Sequence, residues 1–210
     1  MDTLLVGGAL HLVSVYLPVA PLVVVLGYLL VVLRETAGRA GETRFDALPQ
    51  FRNVREILRV GLGGAVVVVA FLLPATVTLL VTVAGASQLS LSAGDVPFTV
   101  SFGFALGSTT SLLLAVVFVY LLPAALANYL ARRQLRAAFD LDVLRRAAVH
   151  GGYFYDVLVG VVAGSLLLVA ARATAPFAVG FFVAFYGELV TVAFWSRGVS
   201  RAIPDVVDAA

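Results

Sequence analysis

The sequence predicts an all-α fold, a polytopic bundle of about five transmembrane helices. Three observations carry that prediction. Of the 210 residues, 61% are hydrophobic and 12% charged, against roughly 45–50% and about 25% in soluble domains. The apolar residues gather into five long runs: Leu4–Leu33, Ile57–Val83, Thr99–Leu130, Gly152–Ala171 and Thr174–Trp195. The arginines gather between runs, on alternate connections. A soluble domain could not hide this much apolar surface, so lipid is expected to cover the outside. Backbone in lipid must satisfy its own hydrogen bonds, which leaves helices or a closed barrel. Barrel strands are short and alternate in polarity. These runs do not, and they have the length of about 20 residues that a spanning helix needs.

The first run is too long for one straight, perpendicular helix and contains Pro18 and Pro21. Proline removes a donor and clashes with the preceding turn, which predicts a kink. The alternative is a re-entrant half-helix, Leu4–Tyr16, ahead of the true span. Only Asp2 is charged before this run, and the run exceeds a signal-peptide core, so it is expected to stay as a membrane segment. The second run carries Gly61, Gly63 and Gly64. The third carries Gly103, Gly107 and a second kink-forming residue, Pro123, and the fourth carries Gly160 and Gly164. Glycines at such spacing let helices approach closely.

Each arginine-rich connection ends in an amphipathic stretch. Phe51, Val54 and Leu58 share one helical face, flanked by Arg52, Arg55, Glu56 and Arg59. Leu141, Leu144 and Ala148 share another, beside Arg145 and Arg146, with Asp140 placed as an N-cap. Both read as short helices lying in the membrane interface.

Arginine placement sets the topology. Arg34, Arg39, Arg44, Arg52, Arg55 and Arg59 lie between the first and second runs. Arg132, Arg133, Arg136, Arg145 and Arg146 lie between the third and fourth, and Arg197 and Arg201 follow the fifth. Gly85–Phe98 holds no arginine, and the 171–176 turn holds only Arg172. The positive-inside rule then puts the N-terminus outside, with the C-terminus and arginine-rich connections in the cytoplasm. The chain reads as one transmembrane domain, 1–210, in the cell membrane. A parallel internal repeat is expected over about 4–84 and 99–172, with a final helix 174–195. Leu17-Pro18, Tyr28-Leu29, arginines and Phe45-Asp46 recur in order as Leu122-Pro123, Tyr129-Leu130, arginines and Phe139-Asp140.

Few residues offer chemistry. Cysteine is absent and every basic side chain apart from His11 and His150 is arginine. That excludes disulfides, thiolate nucleophiles, Schiff-base lysines and the phosphate-loop lysine. No hydrolase elbow, phosphate loop or metalloprotease motif occurs, so no cofactor, metal or catalytic residue is assigned. The net charge of +2, with arginines in short loops, gives no nucleic-acid footprint. Glu188, beside Tyr186 in the fifth run, is a candidate intramembrane polar site for a proton or cation, since a carboxylate in lipid is expensive. Its bland reading is a carboxyl bonded to a neighbouring helix, in the cytoplasmic third of the span. Asp156 follows Tyr153-Phe154-Tyr155 and is read mainly as a group favoured by a helix N-terminus. His11 is expected to be hydrogen-bonded rather than metal-bound. Arg52, Arg55, Arg132, Arg133, Arg145 and Arg146 are candidate contacts to lipid headgroups.

A family resemblance runs along nearly the whole chain. Its marks are Leu-Leu-Val-Gly-Gly at the start, Leu-Gly-Tyr-Leu-Leu-Val-Val-Leu-Arg at 26–34 and the Phe45-Asp46 loop. Further along come Tyr-Leu-Leu-Pro-Ala-Ala-Leu-Ala-Asn-Tyr at 120–129, Ala-Ala-Phe-Asp at 137–140 and Phe-Tyr-Gly-Glu-Leu-Val at 185–190. In this order they resemble the haloarchaeal multi-pass membrane proteins grouped as domain of unknown function 4013. The resemblance implies a helical membrane bundle and supplies no catalytic or binding residue. Position 188, glutamate here, looks more often like glutamine in that family. A non-enzymatic envelope scaffold or partner protein is expected, contacting membrane lipids and a second copy or another membrane protein. The alternative is a small transporter or lipid-handling protein.

Overall fold

The structure, a computed structural model, describes residues 2–17, 19–38, 49, 51, 53–87 and 98–208. Among these it is all α, without strands. The helices are α1 (Asp2–Ser14), α2 (Val19–Ala37), α3 (Val54–Ser87), α4 (Phe98–Arg132), α5 (Leu141–Ala148), α6 (Gly151–Thr174), α7 (Val179–Ala202) and α8 (Pro204–Val207). Five of them, α2, α3, α4, α6 and α7, are long and apolar enough to cross a membrane.

The first apolar run is not one kinked span. It breaks at Val15–Leu17, where the amides of Val15 and Tyr16 bond three residues back, and two helices result. At 13 residues, α1 is ~20 Å long, short of the ~30 Å hydrocarbon core. It packs against α2 and α7. Pro21 is the third residue of α2, in the first turn, where its missing donor costs nothing. Pro18 lies outside the described residues.

The stretch before the second span also differs from expectation. Asn53 caps α3: the Glu56 amide donates to Asn53 Oδ1 at 3.3 Å, and the side-chain Nδ2 of Asn53 donates to Glu56 Oε2 at 3.1 Å. From that cap α3 runs 34 residues without interruption. The arginine-flanked segment at 54–59 is therefore the first turns of the span, not a separate interfacial helix. The second amphipathic stretch is separate. α4 ends at Arg132, the next residue Arg133 has a left-handed φ of 51°, and a 3-10 turn over Leu135–Phe139 follows. Asp140 then caps α5 by accepting from the amides of Asp142 and Val143. α5 buries Val143, Leu144 and Ala147. Helix α4 continues through Pro123, and there the Ala124 amide donates to the buried Tyr153 hydroxyl at 3.2 Å.

Two compact units emerge, Met1–Val67 with Pro123–Ala210, and Val68–Leu122. Their boundary falls inside α3 and α4, not in a linker. In the smaller unit α3 and α4 run antiparallel. Ser111 Oγ donates to the Ala75 carbonyl at 2.8 Å, and Phe71 meets Phe118 edge-on at 5.7 Å. Gly107 sits against Thr82, whereas nothing approaches Gly103.

In the larger unit α6 and α7 form the most extensive pairing. The turn between them, Ala175–Phe177, ends at Ala178 with φ 58°. Gly160 fits under Thr191, Phe194 and Trp195, and Gly164 under Thr191 and Gly187, so this spacing joins two helices of one chain. α2 is the most enclosed span, burying Val25, Tyr28, Leu30, Leu33 and Ala37 among others. It crosses α3 at glycine: a Cβ on Gly27 would strike the Ile57 carbonyl, and one on Gly61 the Val23 carbonyl. The Ala37 carbonyl, at the C-terminal end of α2, accepts from Ser200 Oγ at 2.8 Å. Tyr28 is fully buried, stacks on Phe51 at 3.9 Å and donates to the Pro49 carbonyl.

Candidate functional site

Glu188 is the tenth residue of the 24 in α7, since that helix starts at Val179 rather than Thr174. It therefore lies near the middle of that helix. Arg197, nine residues on, is ~14 Å further along the axis. The partner of Glu188 is His11 of α1, with Nε2 3.1 Å from Glu188 Oε1. His11 Nδ1 lies 3.1 Å from the Gly7 carbonyl. Gly7 and Gly8 allow this approach because the rings of Phe185 and Phe182 occupy the space a Cβ would need. His11 is 9% exposed, while the Glu188 side chain keeps 40% of its surface open. Its second oxygen, Oε2, is buried and has no hydrogen-bond partner among the described residues.

The geometry fixes the proton count. A carbonyl can only accept, so Nδ1 facing Gly7 must carry a hydrogen. The Nε2–Oε1 hydrogen bond then needs one more proton, on either atom. The pair is an imidazolium facing a carboxylate or a neutral imidazole facing a carboxylic acid. In both forms its net charge is zero, the state a low-dielectric interior favours.

Asp156 belongs to a different cluster. It is fully buried, and its two oxygens accept from Arg197 at 3.2 Å and Arg201 at 2.8 Å. Arg197 also covers the Phe194 ring at 5.2 Å. The helix-dipole reading of Asp156 is thus incomplete, because two arginines one turn apart on α7 clamp it. Asp156 packs beside Gly198, ten residues or ~15 Å from Glu188, so the structure does not bring these two acids together. Tyr186 is exposed on α7. Sequence reasoning missed His11 as the partner of Glu188, and Arg197 and Arg201 as partners of Asp156.

Of the arginines expected at lipid headgroups, Arg132 pairs with Asp140 at 3.3 Å and Arg133 with Glu56 at 3.7 Å, where Arg34 also binds. Arg146 makes two 3.0 Å bonds to Asp205. Those bonds hold the Asp205 carboxyl below its ordinary range and raise the Arg146 guanidinium. Arg55 and Arg145 are exposed, with no ion pair among the described residues. Arg52 lies outside them, as do Arg39, Arg44 and the Phe45-Asp46 loop. Among the described residues no three His, Asp or Glu side chains gather as a metal site. Asn128, almost fully buried, donates to the Ala137 carbonyl at 2.7 Å and holds the 3-10 turn on α4.

No curated protein and no solved structure matches the chain. A family model described as a protein of unknown function, DUF4013, matches residues 10–184, most of the length that holds α1 through α7. The chain belongs to that family of proteins of unknown function.

Proposed function

We propose that this chain is a non-enzymatic, multi-pass protein of the cell membrane that serves as a scaffold or partner for other membrane components. In this reading α2 enters from outside, α7 ends in the cytoplasm, and the arginine-rich ends of α3, α4, α5 and α7 lie inside. One observation carries it. Ionised groups satisfy one another within the fold, as at Asp156 and Glu56, while wide apolar faces point outward. Leu62, Val66, Val69, Leu73 and Leu80 on α3 and Leu158, Val162, Leu166 and Val169 on α6 are all exposed. Such faces suit lipid or another helix. Arg55, Arg132, Arg133, Arg145 and Arg146, with Arg52, meet anionic headgroups at the inner boundary. A second copy or another membrane protein is the expected partner. An Arg-only basic set and the acidic residues Asp205 and Asp208 accord with a haloarchaeal source, and the shared order of features with a parallel repeat over 4–84 and 99–172.

The native chain has no cysteine, so single cysteines report topology cleanly. In intact cells a membrane-impermeant maleimide should label Phe177→Cys and reach Arg136→Cys only after permeabilisation. The opposite pattern would reverse the orientation. Cross-linking in mild detergent tests the partner role, and a strict monomer with no co-purifying protein or lipid counts against it. A second reading, a small transporter, is favoured by the His11–Glu188 pair at mid-span. Proteoliposome flux unchanged by Glu188→Gln would remove that residue from such a mechanism.

A further inference from the structure

We infer that the His11–Glu188 pair is a one-proton binding site whose occupancy latches α1 onto α7. The inference stands whether the chain is a scaffold or a transporter, because it concerns the state of the pair itself. With the proton present, Nε2 and Oε1 share a hydrogen bond at 3.1 Å. Release takes that proton to a water or another base. It leaves a neutral imidazole, still protonated at Nδ1 toward Gly7, facing a carboxylate. Two acceptor lone pairs then oppose each other at hydrogen-bond distance, and an uncompensated negative charge remains at mid-span. Uptake reverses each step, and no electron moves.

The other ionisable groups on the elements around the pair do not offset that charge. On α2 these are Tyr28, Arg34 and Glu35. Tyr28 donates to Pro49, and Arg34 is held by Glu56. Glu35 adds negative charge, not positive. On α7 they are Tyr186, Arg197 and Arg201. Both arginines bind Asp156, at ~14 and ~20 Å along the axis from Glu188. Within α1, His11 is the basic group, and Asp2 stands nine residues before it. The rest of the α1–α7 contact described above is apolar, Gly7 and Gly8 against Phe185 and Phe182. That surface is smooth and has no polar tie of its own at those positions. The Glu188 side chain is 40% exposed, which gives a base access to the pair. Its unpartnered Oε2 is where the released charge would spread.

The test uses the full chain in mild detergent, with spin labels on Val13→Cys in α1 and Phe177→Cys beside α7, both at exposed positions. Label separation is read across acid to alkaline pH. The expected result is a short, narrow distance at low pH that lengthens or broadens reversibly as pH rises. In Glu188→Gln the carboxamide donates to Nε2 of a neutral His11 and accepts from Nε2 of a protonated one, so the distance should stay short throughout. Infrared difference spectra of the cysteine-free wild type give a readout that needs no variant, a change in imidazole or carboxyl bands over the same pH interval, according to which atom holds the proton. A separation in wild type that does not change with pH would overturn the inference. So would a pH-dependent separation that persists in Glu188→Gln.

Discussion

Replacing Asp156 with asparagine isolates the clamp between α6 and α7. The carboxylate is fully buried and accepts two charge-assisted hydrogen bonds, at 3.2 and 2.8 Å. Each such bond is worth about 1.5–3 kcal/mol net. An asparagine keeps one acceptor oxygen for one guanidinium and turns its amide hydrogens toward the other, so one bond is lost and the second weakened. Arg197 and Arg201 are 35% and 51% exposed, so they relax toward water, and their share is discounted for screening. The net loss comes to about 2–3 kcal/mol. For a chain of this size that lowers Tm by about 5–10 °C, on a scale drawn from soluble proteins. Asp156→Ala also opens a gap beside Gly198 and Tyr153 and should cost about 3–5 kcal/mol, the range for breaking a buried ion pair. Thermal unfolding in mild detergent can be followed by Trp195, the single tryptophan, whose ring lies against Gly160 in the same hairpin. An Asp156→Asn protein that melts within about 1 °C of wild type, the scale of a neutral surface change, would refute the clamp.

Three further expectations use the same preparation. Gly27→Leu drives a side chain into the Ile57 carbonyl and should lose at least about 1–3 kcal/mol in detergent melts, while Gly103→Leu, which meets nothing, should melt as wild type. Tyr153→Phe removes the acceptor of the Ala124 amide at Pro123 and should cost about 1–3 kcal/mol; an unchanged melt would show that this amide finds another acceptor. Asp205 is held below its ordinary pKa by Arg146. Its contribution is therefore fully present above the unfolded value, near about pH 4, and is lost as pH falls through the lower folded value. Hydrogen exchange at Val206 and Val207 should quicken over that fall in wild type, and Asp205→Asn should abolish the dependence.

Only part of the Asp156 cluster was legible in the sequence, because the turn expected at 171–176 lies at 175–178. A tight turn at 175–178 makes α6 and α7 an antiparallel hairpin, in which positions equidistant from the turn face each other. Position 156 then falls opposite Arg197, with Arg201 one turn further on. The clue was the turn length, and the reading stopped at the helix dipole. Glu188 was visible as an acid in an apolar run, and the start of the helix at Val179 puts it near the helix middle. Its partner was out of reach, because 177 residues separate His11 from Glu188 and no spacing rule connects them.

By itself, then, the sequence determined what short-range physics can determine. Apolar run lengths set five helices, arginine distribution marked one set of ends, and Asp140 with its neighbours specified a capped amphipathic helix. Each depends on residues a few positions apart, within reach of one helical turn or one bilayer thickness. Tertiary structure alone decided that the first run breaks at Val15–Leu17 and that α1 packs against α2 and α7. It also decided that Asn53 starts α3 as one continuous helix, and that His11 meets Glu188. Those outcomes turn on packing and proton sharing between distant segments, where local pattern carries no information about which surfaces will meet.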